Sequence, residues 1–234
     1  MSAERAYTGE PTFDSAISVD NVIFAFGGRS LRVLLIQRSI APYLGNWALP
    51  GDMVVPDEDL DSAAERVLRE LTGLEDVYLE QVASLATPGR HPRGRVITVA
   101  YYSLVRERSH PVQPQGWAQQ ARYFDIDELP PLAFDHEVIL GECRERLRER
   151  VRTRPLGFEL LPSTFSLSSL QSLYESILGH ELDKRNFRKK ILAMGVVEST
   201  GKLQENVSHR PAQLYRFNRG EYDRMREEGF SFAV

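Results

Sequence analysis

The sequence predicts two units in one chain: a mixed α/β sheet sandwiched by helices, then a smaller helical unit ending in a β-hairpin. Three observations predict this. Strand-like and helix-like stretches follow the order strands, helix, strands, helix up to about residue 150, which is not a βαβ repeat. Pro155, Gly157 and Pro162 then break the pattern over residues 152–162. Charge also divides there. Residues 1–151 hold 16 Lys/Arg and 23 Asp/Glu, a balance of -7; residues 152–234 hold 13 and 10, a balance of +3. The expected organisation is a tail at 1–11, a first domain at 12–151, a linker at 152–162 and a second domain at 163–234.

Each element has a local reason. Residues 18–26 (SVDNVIFAF) and 32–37 (RVLLIQ) are rich in Val, Ile, Leu and Phe and flank Gly27-Gly28-Arg29-Ser30, a hairpin signal. Residues 47–50 form a short strand leading into a turn at Gly51-Asp52. Leu60, Ala63, Ala64, Val67, Leu68 and Leu71 recur at helical spacing, with Gly73 as the stop. Residues 78–85, 96–105 and 121–124 read as strands, and 134–150 as a long helix with a charged outer face. Asp135 is placed to cap that helix, and His136 reads as a surface residue. Beyond the break, residues 166–178 form a helix capped by Thr164 or Ser166. After a turn at 179–182, a second helix runs over 183–194 and stops at Gly195. Residues 196–198 and 213–217 are short strands around a polar loop. Helix, turn, helix and hairpin make a winged helix-turn-helix pattern.

Composition excludes several classes. Of the 234 residues, 42% are hydrophobic and 26% charged, enough for a core and unlike a disordered chain. The single cysteine, Cys143, forms no internal disulfide and no zinc site alone, and it fits a reducing cytoplasm. No apolar run reaches the roughly 20 residues needed to span a bilayer, and residues 1–11 lack the apolar core of a signal peptide. A net charge of -4 argues against a generic nucleic-acid binder, yet residues 184–219 hold nine basic and two acidic side chains.

Residues 49–74 read LPGDMVVPDEDLDSAAERVLRELTGL. This segment resembles the Nudix box, G-x5-E-x7-R-E-U-x-E-E-x-G-U with U aliphatic, in register and without gaps. The first Gly falls on Asp52, the first Glu on Glu58, the Arg on Arg66, the late Gly on Gly73 and the last aliphatic on Leu74. The resemblance implies an α/β/α sandwich. In Nudix hydrolases the helix carries three carboxylates at i, i+3 and i+4, on one face, which bind the divalent metals that activate water. Here those positions are Val67, Glu70 and Leu71. One carboxylate is a poor magnesium site, and Glu65 points roughly 100° away around the helix. The resemblance therefore implies a degenerate box, with no catalytic residue, no metal and no cofactor, in which Glu70 and Arg66 are left as an ion pair of the fold. An active Nudix hydrolase of ADP-ribose or a related nucleoside diphosphate sugar is the alternative.

The second half, LLPSTFSLSSLQSLYESILGHELDKRNFRKKIL followed by RPAQLYRF, resembles the winged helix of Nudix-related transcriptional regulators. These are NrtR-type repressors of NAD biosynthesis genes and a sugar-sensing AraR-type branch, with arabinose as a candidate sugar. The resemblance implies a cytoplasmic homodimer on a palindromic double-stranded DNA operator, with an effector bound in the Nudix-like domain and no membrane partner. Asp183 caps a helix presenting Lys184, Arg185, Asn186, Arg188, Lys189 and Lys190, with Phe187, Ile191 and Leu192 turned to the core. Arg and Lys suit guanine edges, Asn suits adenine, and the other cations suit phosphates. Lys202, His209, Arg210 and Arg216 fall on or beside the wing. A solvated basic helix is the bland reading. For the effector, Arg90, Arg93 and Arg95 sit in a Gly/Pro loop suited to an anionic ligand, to a second DNA contact, or to nothing beyond exposure. Arg38 and Trp47 approach the box, Trp47 reading as core or as a ligand platform. The effector is an ADP-ribose-like molecule or a free pentose.

Overall fold

The structure is a computed structural model that describes residues 15–107, 110–205, 210–230 and 232–233. Its centre is a seven-stranded mixed sheet. β1 (Ala16–Phe26) alternates side chains between two buried faces and pairs with β6 (Val96–Val105) in parallel along its whole length. On its other edge β1 is shared. Its C-terminal end makes the expected hairpin with β2 (Leu31–Arg38), with Phe24 opposite Val33. Its N-terminal end pairs with β4 (Gly51–Met53), with Asp20 opposite Gly51. β2 also pairs with β3 (Trp47–Ala48) and β7 (Ala118–Asp125), and β5 (Glu80–Leu85) closes the far edge on β6. Because β2 and β4 share one edge of β1, the sheet is split there, and the gap opens a cleft.

Helix α1 (Leu60–Thr72) covers one face. Asp59 caps it by accepting the Ser62 N–H, and Gly73 ends it at φ 70°, the left-handed region that glycine enters freely. Its stripe of Ala63, Ala64, Val67 and Leu71 packs on Val19, Ile36 and Val99. Helix α2 (His136–Thr153) covers the other face with Ile139, Cys143, Leu147 and Val151, each 0% exposed.

The second unit packs directly onto α2. It comprises α3 (Gly157–Leu160), β8 (Phe165–Ser166), α4 (Leu167–Leu178), α5 (Lys184–Ala193), β9 (Val197–Leu203), β10 (Gln213–Phe217) and α6 (Arg219–Glu227). Strands β8, β10 and β9 form an antiparallel three-stranded sheet. Residues 152–162, expected as a linker, instead hold the last two residues of α2 and all of α3. Phe158, Leu160 and Leu161 are buried, because the apolar stretch between Pro155 and Pro162 fills the seam between the units. β8 and α6 were not foreseen either. Among the described residues no helix is long and apolar enough to cross a membrane.

One apolar cluster runs from Val22 and Phe24 of the sheet through Leu147 to Leu170, Tyr174 and Phe232. Leu147→Ala removes a side chain from this seam and is expected to cost about 2–5 kcal/mol. Urea unfolding checks this, and a loss within about 0.5 kcal/mol, the range of ordinary surface substitutions, would show that the seam is not a true core.

Candidate functional site

The cleft opens at the split edge of β1. Its volume is about 130 Å³, and it is open to solvent at its mouth. Arg38, at the end of β2, is buried. Its Nε donates to Pro42 O at 2.8 Å, and its guanidinium lies 4.7 Å from the Trp117 ring centre and 5.0 Å from that of Phe134. Phe134 stacks on His91 at 5.1 Å and meets Tyr43 edge-on at 4.6 Å. Phe134 and Tyr43 have φ of 55° and 61°, left-handed values that non-glycine residues adopt at a cost, so the surrounding fold holds this aromatic rim in place.

Arg90 forms a forked ion pair with Asp135, Nε to Oδ2 at 2.8 Å and Nη2 to Oδ1 at 2.6 Å, and also donates to the Thr98 hydroxyl. Thr98 in turn bonds Ser18 Oγ at 2.6 Å. Asp135 stands at the cap position of α2 but makes no side-chain cap bond, because its carboxylate is committed to Arg90. His136, expected at the surface, is 4% exposed. Its Nδ1 accepts the Leu49 N–H at 2.9 Å, which leaves the ring proton on Nε2, 3.6 Å from Asp20 Oδ1.

The loop arginines therefore separate. Arg90 is a wall of the cleft, occupied by Asp135. Arg93 stands exposed at the mouth and donates to Ala41 O at 2.7 Å. Arg95 is not in the cleft; it is exposed and bonds Ala86 O. Trp47 is not a wall either. It packs edge-on against Phe124 at 4.7 Å, under Arg122, and Trp117 takes the place foreseen for it. Asp52 joins the cleft wall, its Oδ2 accepting the Trp117 Nε1–H at 3.1 Å.

On α1, Arg66 grips Glu58 through Nε at 2.8 Å and Nη2 at 2.6 Å, and reaches Met53 O and Glu70 at 3.0 and 3.2 Å. The Arg66 hydrogen bonds hold the Glu58 carboxyl at about 2, well below its ordinary value. Val67 and Leu71 are 1% and 2% exposed, inside the apolar cluster under the sheet. Among the described residues no three His, Cys, Asp or Glu side chains come together to hold a metal ion.

The second candidate surface lies on α5 and the hairpin. Asp183 caps α5 through the Asn186 N–H at 2.8 Å. Glu175 and Gln171 of α4 clamp the intervening turn at Leu182 by hydrogen bonds of 2.9 and 3.0 Å. Phe187 and Ile191 are buried, so Lys184, Arg185, Asn186, Lys189 and Lys190 face outward. Leu192 does not join the inner face: it is 45% exposed, one step round the helix from Ile191. Arg188 is half-buried and donates to Ser168 Oγ at 2.8 Å. Lys202 and Arg210 are exposed on or beside the wing, Arg216 pairs with Glu198, and His209 lies outside the described residues.

Residues 157–217 match the model of the NrtR DNA-binding winged helix domain, and residues 14–143 match the NUDIX domain. The chain is 40% identical over 214 residues to an ADPR responsive transcriptional repressor, NtrR, of Acinetobacter baylyi, covering 88% of this chain and 84% of that protein. The chain belongs to the NrtR family. It is thus a homologue of DNA-binding transcriptional repressors, with a Nudix domain joined to a winged helix. The crystal structure of Shewanella oneidensis NrtR complexed with a 27mer DNA is similar at a TM-score of 0.72 and 30% identity, over 86% of this chain and 93% of that one. The Nudix domain of the same NrtR complexed with ADP ribose is similar at a TM-score of 0.55 and 33% identity, over 60% and 94%.

Two buried groups at the cleft give a pH signature. Burial pushes Asp20 up to about 7 from 3.8 and His136 down to about 3 from 6.5. The raised carboxyl stabilises the fold increasingly as pH falls from about 7 to 4. The depressed imidazole destabilises it as pH falls from 6.5 toward 3. The two oppose each other and nearly cancel between pH 6.5 and 4. Relative to wild type, His136→Gln should therefore gain stability as pH falls through that window, and Asp20→Asn should lose it. Each slope has a ceiling of about 1.4 kcal/mol per pH unit. Urea unfolding at pH 4, 5 and 6.5 checks both signs; parallel curves for the three proteins would mean the pair does not titrate this way.

Proposed function

We propose that this protein is a transcriptional repressor that leaves its DNA when ADP-ribose occupies the cleft, and that it regulates genes of NAD metabolism. The observation that carries this reading is the placement of α2. Its cap residue Asp135 and its first residue His136 are walls of the cleft. Toward its other end Arg148 Nε donates at 3.0 Å to Ile177 O, in the last turn of α4, the helix that supports α5. A cation there satisfies a terminal carbonyl and suits the helix dipole. The helix is 18 residues long, about 27 Å. A ligand that shifts its start is felt at the DNA-reading unit, provided the ligand prefers one of two arrangements.

ADP-ribose is favoured over a free pentose by the exposed Arg93 and the buried Arg38 at the mouth, which suit a diphosphate, and by an aromatic rim that suits a base. The ADPR-responsive relative and the ADP-ribose-bound Nudix domain support the same ligand. Hydrolysis is disfavoured. The two box positions that would need carboxylates hold aliphatic side chains packed in the core, and Glu70 and Glu58 are both held by Arg66. Two-fold pairing of the chain on a palindromic operator follows the geometry of such readers.

Fragments of the source genome enriched on the protein supply an operator for titration. Saturating ADP-ribose should weaken operator binding at least tenfold, and unchanged affinity would overturn the reading. Rapid release of AMP from ADP-ribose with Mg²⁺ would make the protein a hydrolase. Lys189→Ala should weaken binding to all sequences alike and reduce the salt slope by about one. An unaltered slope would remove Lys189 from the interface.

A further inference from the structure

The second unit exposes two large apolar side chains among the described residues, Leu192 of α5 and Leu203 at the end of β9. Leu192 stands on the helix that carries the densest run of outward cations. The apolar cluster takes Leu182, Phe187, Ile191 and Met194 from the same stretch of chain. It closes without Leu192, which is 45% exposed.

Helix geometry gives Leu192 its neighbours. At about 100° per residue, Arg185, Lys189 and Leu192 fall within roughly 60° of arc around α5. Leu192 lies three residues beyond Lys189 and seven beyond Arg185, so the three share one row along the helix. That row is turned at least about 100° from Phe187 and Ile191, which hold the helix to the core. Arg188 does not belong to it, because its guanidinium is drawn back to Ser168 Oγ of α4 at 2.8 Å. The row is therefore two cations and a leucine, all exposed.

A helix-turn-helix reader lays such a face in the major groove of DNA. Arginine and lysine there meet guanine edges or phosphates, which are polar partners. A leucine gains nothing from either. The apolar group that the major groove presents is the C5-methyl of thymine. Covering that methyl with Leu192 takes both groups from water.

We propose that Leu192 is a specificity-determining residue that reads a thymine methyl in the operator. The inference rests on the DNA-binding reading given above and assigns one position of the helix to one kind of base. The cations beside it hold the helix to any duplex. The leucine distinguishes thymine from cytosine, which lacks the methyl.

Titration of the full chain with its genomic operator, and with the same duplex carrying uracil in place of thymine, tests this. The two duplexes differ in the methyl groups alone. Wild type should bind the uracil duplex more weakly, by about fourfold for each methyl it covers. Leu192→Ala, at an exposed position that leaves the core intact, should bind both duplexes alike, at the affinity of wild type for the uracil duplex. Equal binding of the two duplexes by wild type would overturn the methyl contact and leave the DNA-binding reading standing. So would a ratio that persists in Leu192→Ala. A halved molecular mass of Leu192→Ala in solution would make Leu192 a contact between copies of the chain and overturn the proposal. No preference of wild type for the operator over unrelated DNA would overturn the DNA-binding reading, and the methyl contact with it.

Discussion

Helix α2 has an apolar stripe that can be buried only between the sheet and α4, and that demand joins the two units. Ile139, Cys143, Leu147 and Val151 recur at intervals of four residues, and all are inaccessible to water. Fully burying one such side chain is worth about 1.5–3 kcal/mol, an upper value for a chain already partly collapsed when unfolded. The charged residues between them stay outside and pair along the helix or across to neighbours, as Arg150 does with Glu80 at 2.7 Å. A helix polar on its outer face and apolar on its inner one would serve a lone sandwich equally well. Here its flank also carries α4, and the seam is closed by Phe158 and Phe232, 6.5 Å apart. The first unit is thereby coupled to the second through packing, not through a tether.

The ion pair of Arg90 with Asp135 sets what the cleft can do. Arg90 has a side chain only 5% exposed, and taking such a group from water is expensive unless its partner is well placed. The forked geometry meets that need and locks the basic loop to the cap residue of α2. The same bond removes Arg90 as a free anion receptor, whereas Arg38 and Arg93 each meet a backbone carbonyl, of Pro42 and of Ala41. Sequence reading treats three loop arginines as equivalent; the structure gives them three situations, one inside an ion pair, one at the mouth and one turned away.

Elements governed by local periodicity were legible in the sequence. The β1–β2 hairpin follows from two apolar runs around Gly27-Gly28, and α1 from its stripe and Gly73. The α4–α5 pair follows from Ser166, Asp183 and the buried Leu170, Tyr174, Phe187 and Ile191. The walls of the cleft were not legible, because they arrive from distant segments. Trp117 follows a Gln- and Pro-rich stretch without periodicity, and it is placed by bonds of Gln113 and Gln115 backbone N–H groups to the end of α1, at 2.8 and 3.3 Å. His136 looked like a surface residue at a helix start; only the Leu49 N–H, 87 positions away, explains its burial. Asp20 in the middle of an apolar strand was a visible signal, since a carboxylate there breaks the pattern without a turn to justify it.

On the proposed reading, the aliphatic residues of the box answer one requirement. A sensor must hold its ligand long enough for occupancy to be read, whereas a hydrolase at the same site would consume the signal. On the proposed reading, valine and leucine at positions 67 and 71 stand where hard oxygen ligands would be needed, and they also fill the space beneath the sheet. Arg66 keeps its grip on Glu58, which preserves the loop leading from β4 into α1 and hence the wall that Asp52 and Met53 supply to the cleft. On that reading the shape of the box is kept by the residues that organise the loop, and its chemistry is withdrawn by residues on the buried face of the same helix. On the proposed reading, those two sets of positions are separable on one helix, and that is what lets a binding cleft persist without turnover.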